Sequence, residues 1–163
     1  MDAVEIALVA APDNDVRLLV GELNDELSGL YAAEQRHGLA LEAIFQPHIR
    51  FFLVRKKDAA IGCGGVALFP GFAEVKRMYV RPAMRGRGIA DAIMARLIAE
   101  AAQAGLPLLR LETGSHSIAA IRFYGRLGFR HCPAFEPYAS MPSQSVVTSV
   151  FMEKAISTIS GCT

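Results

Sequence analysis

Between Lys76 and Met94 the chain reads KRMYVRPAMRGRGIADAIM, and this segment restricts the fold more than any other. A strand-like run ends at Val80. A basic turn follows, with Arg81, Pro82, Arg85 and Arg87, and then Gly86 and Gly88 lead directly into an amphipathic helix. A glycine-bearing turn at a helix mouth leaves several backbone N–H groups unpaired and converging on one spot. The helix dipole adds partial positive charge there, which makes an anion site suited to phosphate. Arginines contribute charge and forked donors. Strand, phosphate turn and crossover helix in that order predict an α/β arrangement and a phosphorylated ligand.

Two common nucleotide signatures do not fit. A P-loop ends in Gly-Lys-Ser/Thr, whereas Gly88 is followed by Ile89 and Ala90. A dinucleotide fingerprint needs a third glycine where this chain has Asp91. Arg85-x-x-Gly88-x-Ala90 instead resembles the (Arg/Gln)-x-x-Gly-x-(Gly/Ala) turn of the Gcn5-related N-acetyltransferases, the GNAT superfamily. In that family this turn holds the pyrophosphate of acetyl-coenzyme A. Downstream, Leu108–Thr113 resembles the family's fifth strand. The segment from Ala120 to Phe129, AIRFYGRLGF, resembles its second signature. Two signatures in the right order, about 35 residues apart, are far more specific than either alone. The resemblance covers residues 50 to 154, and the segments KRMYV, LETG and FMEK are similar to those of a small bacterial subgroup.

Hydrophobic periodicity predicts the order βααβββαβαββ. Val4–Val9 is the first strand. Pro12-Asp13-Asn14 starts a helix carrying Val16, Leu19, Val20, Leu23, Leu27 and Leu30 at helical spacing. A second, shorter helical region is expected from Tyr31 to Phe45, broken near Gly38 and ended by Pro47. Three strands follow, at Phe51–Val54, Ile61–Phe69 and Ala73–Val80. The glycines of the middle one suggest a bulge or close backbone approach. The helix after the basic turn sets Ile89, Ile93, Leu97 and Ala101 on one face, and Gly105 and Pro107 stop it. A strand, a helix and two final strands complete one domain over residues 1–163. The fold class is α/β of the α+β type, the GNAT fold: a mixed sheet of about seven strands flanked by about four helices.

Composition narrows the partners. Hydrophobic residues make up 52%, yet no run approaches the ~18 apolar residues of a membrane span. No basic region precedes the apolar Ile6–Ala11, so a signal peptide is not expected. The net charge of +1 gives no reason to expect nucleic acid as a partner. Cys63, Cys132 and Cys162 are odd in number, widely spaced and without metal-ligand spacing, and the four histidines form no zinc pattern. A cytoplasmic protein with free thiols and no metal is expected.

The resemblance supplies roles. Acetyl transfer from a thioester to an amine needs a neutral amine, a polarised carbonyl and a proton for the leaving thiolate. Tyr124 occupies the signature tyrosine that lies near the coenzyme sulfur in many members, which makes it the candidate general acid; the alternative is a core tyrosine. Glu74 starts the strand where many members carry a glutamate that takes the amine proton. Glu112 is the second candidate, in an apolar strand that would raise its pKa. Ordered water is the third. Strict alternation would place Lys76, Met78 and Val80 on the face of Glu74. The resemblance assigns coenzyme binding to Met78, Tyr79 and Val80 through backbone pairing with the pantetheine arm. The phosphate turn adds Arg85, Gly86, Arg87, Gly88, Ile89 and Ala90. Arg81 or Lys76 is a candidate for the 3′-phosphate. Ser117 stands where the family often has Asn, and the favoured reading is a helix cap.

The acceptor is expected between Leu27–Phe45 and Pro133–Ser145, with Phe135, Tyr138, His37 and His48 as candidate lining. The implied reaction is acetyl transfer from acetyl-CoA to a primary amine of a small metabolite. A coenzyme-binding sensor and a protein N-terminal acetyltransferase are the alternatives. A homodimer through an exposed last strand is also expected on family grounds.

Overall fold

The computed structural model describes residues 3–158. Seven strands form one sheet in the order β1-β2-β3-β4-β5-β7-β6. The strands are β1 (Val4–Leu8), β2 (Ile49–Lys56), β3 (Ala59–Phe69), β4 (Phe72–Val80), β5 (Leu108–Gly114), β6 (Arg130–His131) and β7 (Ser149–Ala155). The helices are α1 (Asn14–Ser28), α2 (Ile89–Gln103), α3 (Ile118–Arg126) and the short α4 (Ser143–Val146). Cys162 lies outside the described residues, and Cys63 and Cys132 are free thiols. Among the described residues no helix is long and apolar enough to cross a membrane.

Alternation along β2 builds a core on each face of the sheet. Phe52 and Val54 join Ile89, Ile93, Met94 and Leu97 of α2. Phe51 and Leu53 join Val16, Leu19, Val20 and Leu23 of α1. Each of these apolar side chains contributes about 2 kcal/mol by leaving water, which seats both helices firmly. Asp13 caps α1, its Oδ1 accepting from Val16 N at 2.8 Å. In β3, Gly64 marks a very close approach: a Cβ there would lie 2.7 Å from both Ile93 Cγ2 and Met78 Sδ.

The tertiary contacts change three expectations. Residues 31–45 form no α-helix; they make two 3-10 turns, Ala33–Gln35 and Leu41–Phe45. Neither turn has a side-chain cap, and Ala32 before the first turn and Arg36 after it are extended. Buried Tyr31 and Ile44 anchor this segment at its two ends, and contacts rather than propensity set its path. Alternation also breaks in β4. Arg77 has φ of 55°, and the β3–β4 register slips between Cys63 and Gly65. The bulge inserts one residue, so Ala73, Val75, Met78 and Val80 share the α2-side core while Tyr79 joins the α1 side. Met78 and Val80 therefore do not share a face with Glu74. Lastly, β7 is not a free edge: it lies between β5 and β6, and β6 pairs with it at Met152 and Glu153. The dimer expected through that strand loses its basis there.

The site arises from a single topological feature. β4 and β5 run parallel and pair only at Ala73–Leu109 and Glu74–Arg110. Beyond Glu74 the two strands part, and their inner edges face a cleft.

Candidate active site

The cleft has a volume of about 970 Å³ and is lined by the turn before α2, by β4 and β5, by α3, and by Tyr31, His37 and Tyr138. At one end is the glycine turn. Gly86 and Gly88 adopt φ of 77° and 78°, a region that glycine enters without steric cost. Gly88 is the N-cap of α2 and supplies no side-chain cap, so no side chain of its own competes for the first-turn N–H groups. Gly86, Gly88, Ile89 and Ala90 all line the cleft. A turn of this geometry suits an anion.

The arginines here are engaged with α1. Arg81 makes a two-pronged pair with Glu22, at 3.1 and 2.7 Å. That pairing is the largest cause holding the Glu22 carboxyl below its ordinary pKa. Arg85 donates to Val80 O at 2.8 Å and to Glu26 at 2.8 Å. Arg85 thus ties the end of β4 to α1, and the anion-facing groups of the turn are its backbone amides. Arg87 is exposed. Tyr79 points away from the α2 side, and its hydroxyl donates to Glu22 at 3.1 Å. Burial, then this bond, pushes its pKa up to about 12.

At the other end a cluster of titratable groups gathers. Glu74 is buried to 1% exposure. Its Oε2 accepts from the Tyr138 hydroxyl at 2.6 Å and pairs with Lys76 Nζ at 2.8 Å. Lys76 Nζ also donates to the Tyr138 hydroxyl, at 2.9 Å. A buried carboxylate needs such neighbours, since its charge is otherwise unsupported. Lys76 is thus committed inside the protein, far in role from the 3′-phosphate contact considered for it. Burial, followed by the charge of Glu74, holds the Tyr138 hydroxyl neutral far above the ordinary range.

Glu112 lies across the cleft on β5, its Oε2 accepting from Ser149 Oγ at 2.8 Å. Burial raises its pKa, opposed by the Ser149 bond and by the charges of His37 and Lys76. Tyr124 on α3 is 7% exposed and lines the same cleft, and its hydroxyl has no hydrogen-bond partner among the described residues. Burial, then the charge of Glu112, keeps it protonated well above the ordinary tyrosine range. The cleft therefore holds a paired carboxylate, a carboxyl with raised proton affinity, and a neutral phenol. That set can accept one proton and donate another.

Ser117 stands at the N-cap of α3 but makes no capping bond. Its hydroxyl instead meets the Tyr31 hydroxyl at 2.9 Å, which also accepts from His116 N at 2.9 Å. This knot joins residues 86 apart in sequence, and nothing in the local pattern signals it. Met78 and Val80 line the cleft from β4. His37 does too, with Nε2 donating to Ser145 O at 2.6 Å. His48 packs on Phe69 outside the cleft. Phe135 is core, packed on Phe72, Tyr138 and Phe151.

Comparison with known proteins agrees with this geometry. The sequence model of the acetyltransferase (GNAT) family matches residues 17–129. The chain is 38% identical over 158 residues to a protein of Azospirillum brasilense named IAA acetyltransferase, covering 96% of this chain and 100% of that one. It is 31% identical over 141 residues to the uncharacterised N-acetyltransferase YsnE of Bacillus subtilis, covering 85% and 90%. A Klebsiella pneumoniae crystal structure described as a candidate acyl-CoA N-acyltransferase matches with a TM-score of 0.76 at 32% identity, covering 96% and 99%. The PaiA N-acetyltransferase of Thermoplasma acidophilum, solved in complex with coenzyme A, shares the fold, with a TM-score of 0.69 at 16% identity over 94% and 99%.

Proposed function

The chain belongs to the GNAT family of N-acetyltransferases, and from that premise we propose that it moves an acetyl group from acetyl-CoA to a primary amine of a small metabolite. The observation that carries this reading is the cleft itself. Its glycine turn suits a pyrophosphate, and its other end holds groups able to manage two protons. The residues fit coenzyme A: Gly86, Gly88, Ile89 and Ala90 would hold the phosphates through backbone amides. Met78, Tyr79 and Val80, on a strand edge with no partner strand in β5, would pair with the pantetheine arm. Ser117 and Tyr124 would flank it from α3.

Bound acetyl-CoA supplies an activated acyl carbonyl, so the protein needs no nucleophile of its own. What the chain contributes is placement and proton handling. We assign the base to Glu112, directly or through water. Its raised proton affinity lets it take the amine proton near neutrality more readily than an ordinary carboxylate. The Glu74 carboxylate is already engaged by Lys76 and Tyr138, and it serves to hold that wall of the acceptor pocket. Tyr124 Oη holds the proton that the leaving sulfur requires. The relative from Azospirillum brasilense is named an IAA acetyltransferase, so IAA is included in the acceptor screen.

The test is calorimetric titration of acetyl-CoA into the wild type and Gly88→Glu, followed by an amine screen that detects released thiol. A Cβ at Gly88 meets nothing within 4 Å, but the φ of 78° strains any side chain there, so Gly88→Ala is the control that separates this strain from the negative charge of Gly88→Glu. Tight binding lost in the variant, with thiol released on adding small amines, supports the proposal. Equal binding by both proteins removes the phosphate turn from it. Turnover with peptide N-termini alone would replace the small amine by a protein acceptor.

A further inference from the structure

Arg77 is a buried side chain that the proposed chemistry does not use. It is 8% exposed, and its Nε has no hydrogen-bond partner among the described residues. Its one side-chain hydrogen bond is from Nη2 to Asn24 Oδ1, a neutral acceptor. No carboxylate pairs with its guanidinium among the described residues, although Arg is always charged in a protein. Burial is the main influence on it, opposed by the neighbouring Cys63 and by no carboxylate. A buried charge without a counter-ion is costly, and native proteins keep one where something else supplies the opposite charge.

The surroundings of Arg77 say where that charge would come from. Arg77 lines the main cleft and also a side cavity of about 290 Å³, bounded by Asn24, Leu27, Ala33, Arg36 and Gly38. Arg36, an exposed side chain without an ion pair among the described residues, reaches both cavities as well. Two guanidiniums and an amide thus border one small space, and no acid borders it. The segment is built to bring them together. A Cβ on Gly38 would lie 1.9 Å from Arg77 Nη1, so glycine there is what lets the chain close over the arginine. The left-handed backbone at Arg77, with φ of 55°, is strained for a non-glycine residue and turns this side chain toward α1. The side cavity shares Leu27, Arg36, Gly38 and Arg77 with the main cleft, on the acceptor wall and away from the glycine turn.

We propose that the acceptor carries a carboxylate that docks between Arg77 and Arg36, which makes the substrate class small amino acids or related amino carboxylates. Arg77 Nε and Nη groups form a fork that matches two carboxylate oxygens, and Arg36 closes the site from the 3-10 turn. A water molecule can accept from Nε, but it leaves the buried charge unmatched. The inference rests on the acetyltransferase reading and specifies its acceptor.

The experiment compares each of the common L-amino acids with its own carboxamide as acceptor, reading thiol release at saturating acetyl-CoA. The proteins are the wild type, Arg36→Gln and Arg77→Gln, with acetyl-CoA binding to each measured separately by calorimetry. The expected result is a wild-type preference for acid over amide of about ten-fold or more in kcat/KM, the size of a charge-assisted pair. In Arg36→Gln, at an exposed position that leaves the core intact, the preference falls several-fold while acetyl-CoA binding is unchanged. Arg77→Gln, if it folds, abolishes the preference. Equal use of acids and amides by the wild type overturns the inference and leaves the acetyltransferase reading standing. So does thiol release with other amines but with none of the amino acids. Failure to bind acetyl-CoA falls instead on the underlying reading and takes the inference with it.

Discussion

Gly114→Ala is the most exacting test of how the cleft is held. Gly114 ends β5 and pairs with Ser149, and its φ is not in the left-handed region, so alanine suits its backbone. The obstacle is Tyr31. A Cβ on Gly114 would lie 1.9 Å from the Tyr31 hydroxyl and 2.0 Å from its ring carbon Cζ. Tyr31 is 7% exposed, and its hydroxyl is fixed by 2.9 Å bonds to Ser117 Oγ and His116 N, so the ring cannot swing aside cheaply. Displacing it forfeits two neutral hydrogen bonds at about 1 kcal/mol each. Repacking adds about 1 kcal/mol or more. The sum is about 3 kcal/mol, or a fall in Tm of roughly 6–12 °C for a chain of this size. Urea unfolding measures the loss. The KM for acetyl-CoA should rise several-fold in parallel, because His116 and Ser117 line the cleft. The decisive comparison is Gly114→Ala in a Tyr31→Ala background. With the ring gone, the alanine should cost less than about 0.5 kcal/mol, so the double-mutant cycle shows strong coupling. An equal cost in both backgrounds would refute the explanation.

Two further predictions concern the reaction. Tyr124→Phe should lower kcat by about 100-fold with acetyl-CoA binding retained, as expected for loss of a general acid; an unchanged kcat in steady-state assays would remove Tyr124 from the mechanism. Glu112 titrates above the ordinary carboxyl range because burial disfavours its charge. As a base it must be ionised, so activity should climb as pH rises through that raised value, and Glu112→Gln should lose this limb when both proteins are assayed with the same amine. The same shift has a stability sign. The folded state keeps its proton to higher pH than the unfolded state, so stability is full below the ordinary carboxyl pKa. It declines as pH rises from there through the raised value. Glu112→Gln should flatten that decline in thermal melts, and an unaltered pH dependence would exclude Glu112 as its source.

Much of the molecule was legible from local pattern. The three-residue motif Arg85-x-x-Gly88-x-Ala90 needs only a positive φ and an uncapped helix start, which are properties of adjacent residues. The strands and the helices α1, α2 and α3 follow from apolar spacing for the same reason. Where propensity competed with long-range contact, pattern failed. Residues 31–45 look helical, but their path is set by Tyr31 at one end and Ile44 at the other. Alternation from Glu74 gave Lys76 its true neighbour, yet it passed straight through the bulge at Arg77, because nothing local marks an arginine for a left-handed conformation.

The sequence by itself determined the family, the order of the strands and the glycine turn before α2, since each is written in residues close together along the chain. The tertiary structure alone decided which charges stay free. Arg81 and Arg85 look equivalent to Arg77 as basic residues near the turn, but α1 brings Glu22 and Glu26 to the first two and only Asn24 to the third. A counter-ion is a matter of distance in space, and distance between residues more than fifty positions apart exists only once the helix has packed on the sheet.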